Sequence, residues 1–315
     1  MEHYSVLLKE SIKILNIKAN GVYVDCTLGR AGHTKAILQQ LTTGKIVAFD
    51  QDIAAITKVK QELNDDRIVY VHDNFKNLKA NLIINGLKTV DGIFYDLGVS
   101  SPQFDEQDRG FSYRFDAELD MRMDQTNNAL TAKKVVNDFS EQALAEILFK
   151  YGDEKFTWSI VKNIVKARQK QAINTTFQLV DIIKASLPQK VLKQKKHPAK
   201  KTFQALRIFI NDELNAIRES LEQAITMLND GGILAVITFH SLEERVVKEF
   251  FKKYTKVVTD PVKDKLPVMH EKVTTGFTLL TKKGIEPSDD EIGENRRSHS
   301  AKLWALRKEV KHENI

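Results

Sequence analysis

Asp25, Asp50, Asp73 and Asp96 each close, or directly follow, a short run of β-branched and aromatic residues. A carboxylate at the end of a strand accepts hydrogen bonds from a ligand's hydroxyls, or it caps the turn that follows. A single such aspartate is more often a cap; four in phase point to a shared rim of acids. After Asp25 the chain reads Thr27-Leu28-Gly29-Arg30-Ala31-Gly32-His33-Thr34, a small-residue loop opening a helix and able to let a ligand approach the backbone. The dinucleotide pattern G-x-G-x-x-G is absent, because only two residues separate Gly29 from Gly32 and no third glycine follows in place. Asp50, at the end of the second run, stands where a carboxylate takes two hydrogen bonds from the vicinal hydroxyls of an adenosine ribose. A cofactor with adenosine but no pyrophosphate satisfies both facts, and S-adenosylmethionine is the candidate. Phe75 offers an apolar face for adenine, with ordinary core packing as its alternative.

The elements that must carry these residues follow from spacing. Runs at Val22 to Cys26, Ile46 to Asp50, Ile68 to His72 and Gly92 to Asp96 start 24, 22 and 24 residues apart, with helical periodicity between them. That alternation predicts βαβ units and a parallel sheet. Gly44 and Gly86 fall where helix ends favour positive φ. The next convincing strand, Ile233 to Phe239, begins 141 residues after Gly92, so a large segment is inserted. Its pattern is helical at Glu141 to Tyr151, Phe156 to Lys170 and Phe177 to Leu187. One long amphipathic helix, from Phe203 through Leu228 to Gly231-Gly232, is read as the return to the sheet. His240-Ser241-Leu242-Glu243-Glu244 starts another helix, and Phe277 to Leu280 with Leu303 to Leu306 complete the sheet as a terminal pair. The expected fold is α/β: a doubly wound, seven-stranded sheet with an inserted all-helical domain. The sheet domain takes residues 1–104 and 206–315, and the insertion 105–205.

Composition narrows the function classes. The chain has 315 residues, 42% hydrophobic and 29% charged, with 14 Gly and 6 Pro, which excludes a disordered or collagen-like protein. No stretch is apolar enough to span a bilayer, and the amino-terminal residues lack a basic and then apolar leader, so the expectation is a cytoplasmic protein with no membrane partner. The single cysteine, Cys26, makes neither an internal disulfide nor a multi-cysteine zinc cage, and no cluster calls for a metal. From Ile182 to Asn211 there is no acid but eight basic residues: Lys184, Lys190, Lys193, Lys195, Lys196, Lys200, Lys201 and Arg207. They exceed the net charge of the whole chain, +6. That is the footprint of a surface tracking phosphates, with a solvated loop as the alternative.

After the fourth strand, Asp96-Leu97-Gly98-Val99-Ser100-Ser101-Pro102-Gln103 stands where amino-methyltransferases place a short acid or amide, two small residues or prolines, and a polar or aromatic residue. With this stretch, the sequence resembles the RsmH (MraW) family. These are S-adenosylmethionine-dependent methyltransferases that modify the N4 amine of one decoding-centre cytidine in bacterial small-subunit (16S) ribosomal RNA. The matching words are HYSVLLKE (3–10), DCTLGRAGH (25–33), DLGVSSPQ (96–103), RGFS (109–112), LDMRMD (119–124), HPAKKTFQALRIFIN (197–211) and FHSLEER (239–245), in family order through almost the whole chain. The resemblance implies a class I methyltransferase sheet and cofactor contacts at Ala31, Gly32, His33, Asp50, Phe75, Asp96 and Gln103. Ala31 departs from the family's usual glycine. The partner it implies is 16S ribosomal RNA within the small subunit, and the inserted segment becomes its substrate domain. A homodimer stays open.

Cytosine's amine is a poor nucleophile because its lone pair is delocalised into the ring. An acceptor on its N–H localises that pair as the new bond forms. Asp96, Ser100 and Ser101 are candidates for that role, and His240 for contacting the base or relaying the released proton. Each has an alternative: Asp96 holding only the methionine end of the cofactor, the serines capping their turn, His240 capping the next helix. Arg109, Phe111, Arg122 and Lys195 to Lys201 are candidates for gripping RNA around an extruded base. Two other classes remain: a nicotinamide-dependent oxidoreductase, which lacks its glycine pattern here, and a noncatalytic ribosome-assembly factor.

Overall fold

The computed structural model describes residues 5–99, 107–255, 275–295 and 297–310. They divide into two compact units, Met1–Gly98 with Leu214–Ile315, and Val99–Glu213. The sequence had placed these junctions at 104/105 and 205/206.

The first unit is built on seven strands: β1 (Val22–Asp25), β2 (Lys45–Asp50), β3 (Ile68–His72), β4 (Val90–Asp96), β5 (Leu228–Thr238), β6 (Phe277–Leu279) and β7 (Lys302–Lys308). Their spatial order is β3-β2-β1-β4-β5-β7-β6. The first five are parallel, and β7 runs antiparallel to both β5 and β6, the terminal pair expected from sequence. Four helices, α1 (Leu8–Leu15), α2 (Gly32–Gln40), α3 (Ile53–Glu62) and α4 (Leu78–Ile84), precede β4. Alternate strand residues point to one face. Thus Ile233, Ala235 and Ile237 of β5 join Leu303 and Ala305 of β7, Ile46 and Ala48 of β2, and the apolar sides of α1, α2 and α3 in one core. Gly86 has φ +75°, as expected after a helix. Gly44 does not. A side chain there would begin 2.3 Å from the carbonyl oxygen of Gly21, so close approach of two backbones requires the glycine.

The second unit is helical: α5 (Ala132–Asp138), α6 (Glu141–Gly152), α7 (Thr157–Arg168), α8 (Thr176–Ala185), the single turn α9 (Gln189–Leu192) and α10 (Lys200–Ile210). Side chains of Thr131, Ser140 and Thr175 cap α5, α6 and α8, the last in a reciprocal capping box with Gln178. Leu144, Leu148, Ile160, Ile164, Leu179, Ile183, Phe203 and Leu206 form its core.

The single long helix expected over Phe203–Leu228 is two. α10 ends at Ile210, Asp212 takes φ +48°, and α11 (Glu213–Met227) begins afresh. The apolar period runs through the break without glycine or proline. Asn211 explains the break, because its side chain accepts from the backbone N–H of Met123 and donates to the carbonyl of Met121, tying the turn to a distant loop. Gly231-Gly232 lies inside β5, which starts at Leu228 with a register shift against β4. The last helices are α12 (Ser241–Thr255) and the short α13 (Asp289–Glu294).

Candidate active site

In a parallel sheet the crevice opens at the carboxyl edge where the strand order reverses, here between β1 and β4. Asp25, Asp50 and Asp96 end the adjacent strands β1, β2 and β4. Their environments separate them. Asp25 is fully buried and accepts from the Thr34 hydroxyl at 2.7 Å and the Thr27 N–H at 3.0 Å. It fastens the start of α2 to β1. Asp73, just past β3, accepts from the Asn74 N–H and from the side chains of Asn77 and Asn81, so it is a cap for the turn into α4 and leaves the acidic rim.

Asp50 and Asp96 remain. Asp50 accepts from the N–H of Gly29 through Oδ2 and of Asp52 through Oδ1, each at 2.9 Å. These bonds tie the loop after β1 to the end of β2. Burial raises its pKa to about 6 against the pull of those two N–H groups, with the charges of Asp52 and Asp25 adding to the rise. Asp96 is raised further, to about 8, by burial first and then by the charges of Asp25 and Glu243. Its own N–H donates to the Thr27 hydroxyl at 2.7 Å, while Oδ1 is buried without a hydrogen-bond partner.

The glycine loop is a tight turn. Ala31 takes φ +60°, and its N–H donates to the carbonyl of Leu28. A side chain on Gly32 would collide with Ser5, so packing alone already demands that glycine. His33 is buried, lies 4.4 Å from the ring of Phe94, and has Nε2 at 3.1 Å from the Val6 carbonyl. Burial lowers its pKa to about 4. Phe75, half-buried, meets Tyr95 edge to face at 5.6 Å. Ser100, Ser101 and Gln103 lie outside the described residues.

His240 sits one residue before α12 with its Nε2 3.0 Å from Oε1 of Glu243 and its Nδ1 facing the Glu243 N–H at 3.4 Å. Oε2 of Glu243 accepts from the N–H groups of Phe239 and His240. This is a capping box with histidine at the cap position; Nδ1 takes part in it, while Nε2 is buried beside Oε1 of Glu243 without a hydrogen bond. The spacing of His240 and Glu243 carried that signal in the sequence. Glu243, Thr27, Thr34 and Val6 were missed, because each acts through one partner distant in sequence or through the backbone.

In the helical unit, three candidates for RNA contact are structural. Phe111 lies in the core. Arg109 is 7% exposed and donates to the carbonyls of Arg122 and Met123. Arg122 is locked in a two-pronged pair with Asp120. Arg207 is likewise held by Glu213 at 2.8 and 2.9 Å. Of the eight basic residues between Ile182 and Asn211, the other seven, Lys184, Lys190, Lys193, Lys195, Lys196, Lys200 and Lys201, are exposed, though Lys201 also reaches the Asp153 carbonyl. Sequence reasoning did not single out the exposed aromatics Phe149, Trp158 and Phe177 on α6, α7 and α8.

The model of the MraW methylase family matches residues 1–309. The chain belongs to the MraW methylase family. Within it, the chain is 54% identical over 309 residues to ribosomal RNA small subunit methyltransferase H of Mesoplasma florum, covering 98% of this chain and 99% of that one. The protein of the same name from Mycoplasma capricolum subsp. capricolum is 55% identical over 310 residues, with the same coverage. That from Oenococcus oeni is 48% identical over 310 residues, covering 97% and 98%. The site fits the cofactor of a MraW methylase on its own terms. A buried acceptor without a partner, Oδ1 of Asp96, and a carboxylate cross-linking two strand-end loops, Asp50, face the crevice edge where an adenosine and its amino-acid tail need acceptors.

Proposed function

We propose that this protein transfers a methyl group from S-adenosylmethionine to the exocyclic N4 amine of a cytidine at the decoding centre of 16S ribosomal RNA. The observation that carries the reading is the pair Asp50 and Asp96 at the sheet's switch point in a chain matched end to end by the MraW methylase family. When bound, S-adenosylmethionine supplies an electrophilic methyl group on a sulfonium. Asp50 is assigned to the ribose hydroxyls, Ala31, Gly32 and His33 to the turn beside them, and Phe75 and Gln103 to the remaining cofactor contacts. Asp96 accepts an N–H of the target amine, which frees the nitrogen lone pair. Holding both groups in one crevice supplies the alignment on which such a displacement depends. Ser100 and Ser101 are assigned, with Asp96, to accepting the amine's N–H, and His240, held at the start of α12 by its capping box with Glu243, to contacting the base.

The helical unit is assigned to RNA. Lys195, Lys196, Lys200 and Lys201 attract phosphates, and exposed Trp158 and Phe149 offer faces on which unstacked bases can rest. The reading places the protein in the cytoplasm on a small-subunit assembly intermediate. Among the described residues no helix is long and apolar enough to cross a membrane. Incubation with immature small subunits and labelled cofactor, followed by nucleoside analysis, tests the assignment: N4-methylated cytidine is expected, and label in another nucleoside or none refutes it. Sedimentation of the purified protein tests for the homodimer.

A further inference from the structure

His33 was assigned to the cofactor, but its hydrogen-bond geometry points at a second task. Its Nε2 faces the Val6 carbonyl, and a carbonyl only accepts, so Nε2 carries the hydrogen. A buried, neutral imidazole with that tautomer has its lone pair on Nδ1. Nδ1 lies 3.7 Å from Oδ2 of Asp96. A carboxylate oxygen set against a lone pair is repelled, whereas a carboxylic acid bearing its hydrogen on Oδ2 is attracted. The groups facing the pair are Asp25 on β1 and Glu243 on α12, both acidic, and both favour the protonated form of Asp96. The other oxygen, Oδ1, is left buried and without a partner.

We propose that His33 and Asp96 form a proton relay for the methylated amine, in which Asp96 takes the amine's proton on Oδ1 while its Oδ2 proton passes to Nδ1 of His33. The inference rests on the methyl-transfer reading above. An N–H bond of the cationic amine breaks and an O–H bond forms at Oδ1; the O–H bond at Oδ2 breaks and an N–H bond forms at Nδ1. Asp96 ends neutral as it began; once the product has left, Asp96, the more exposed of the two at 26%, gives its Oδ1 proton to solvent and recovers its Oδ2 proton from the imidazolium. A newly methylated, cationic cytosine amine is a strong acid, so even a histidine held to about 4 accepts its proton downhill. The 3.7 Å separation must tighten by about 1 Å to become a hydrogen bond, as catalytic contacts commonly do when a site fills.

The test has two arms. In the empty protein, nuclear magnetic resonance of labelled histidine and aspartate reads the pair directly. Wild-type His33 should keep its hydrogen on Nε2 at neutral pH while Asp96 titrates near 8. In His33→Gln, whose amide reaches Val6 but has no lone pair at the Nδ1 position, that titration should fall by about one pH unit. Titration of wild-type Asp96 in the ordinary carboxylate range, or no change in His33→Gln, overturns the relay. In the second arm, single-turnover methylation by the wild type should slow as pH rises through the Asp96 titration. Asp96→Asn should slow it about a hundredfold, and the double variant should be no slower than Asp96→Asn alone. A rate that climbs with pH, or additive losses, overturns the relay. So does a His33→Gln variant altered only in its dissociation constant for the cofactor. Absence of any methyl transfer by the wild type would instead refute the function and leave the resonance result standing. The wild-type measurements hold should a variant fail to fold.

Discussion

Asp50 and Asp96 have the same side chain, and the sheet gives them different work by burying them to different effect. If Asp50 holds ribose hydroxyls, Asp50→Ala should weaken S-adenosylmethionine binding by about 1.5 to 3 kcal/mol, the loss of hydrogen bonds to a charged acceptor, measured by calorimetry. Its raised pKa adds a pH signature: the wild-type dissociation constant should rise as pH falls below about 6, and should be flat with pH in the alanine variant. Asp96 costs the fold something. A carboxyl whose folded value is raised contributes stability that is complete below its unfolded value, about 4, and is lost as pH rises through the folded value, about 8. Asp96→Asn does not titrate, so its melting temperature should match the wild type near pH 4 and exceed it by several degrees near pH 8. Equal melting curves at both values would show that Asp96 ionises freely.

The elements show where sequence reading succeeds and where it fails. The first four strands were legible because a parallel strand is covered on both faces, so Val22–Asp25 and Ile68–His72 stand out as apolar runs between turn residues. The α10–α11 break was not legible, because the apolar period continues through it and the determinant, Asn211, bonds to residues about ninety positions away. A different cause hid the fate of the arginines, whose partners lie only 2 to 14 positions away but are chosen by local folding that no periodicity marks. Arg109, Arg122 and Arg207 have the side-chain type suited to RNA, yet each is taken up by carbonyls or an acid within its own unit. The positions of Asp50 and Asp96 at strand ends were legible because apolar runs lead up to them; Glu243 was not singled out, because it acts by closing the box around His240. Arg207 gives the sharpest test. Both it and Glu213 are largely shielded from water, so Arg207→Ala strands a buried carboxylate and should destabilise the helical unit by about 3 to 5 kcal/mol. Denaturant unfolding should register that loss, while a change confined to RNA affinity would restore Arg207 to the binding surface.

For the molecule as a whole, charge is the readable long-range property. Replacing Lys195, Lys196, Lys200 and Lys201 by glutamate should weaken RNA binding and flatten its dependence on salt, since each phosphate neutralised releases a counterion. An unchanged slope would make the lysines a solvated loop.

The insertion also sets a timetable for synthesis. β4 ends at Asp96 and its partner β5 begins at Leu228, so at about 5 to 20 residues per second a nascent chain spends roughly 7 to 26 s with the half-built sheet ending in a strand of unpaired amides. That strand, Val90–Asp96, is buried in the finished protein at every position but its two aspartates. A self-contained helical block that buries its own apolar residues while the ribosome is still reading the remainder keeps that interval from adding a second sticky surface. Arrest of translation just before Leu228 should therefore yield a chain whose helical part already resists protease while β4 is still open to a chaperone.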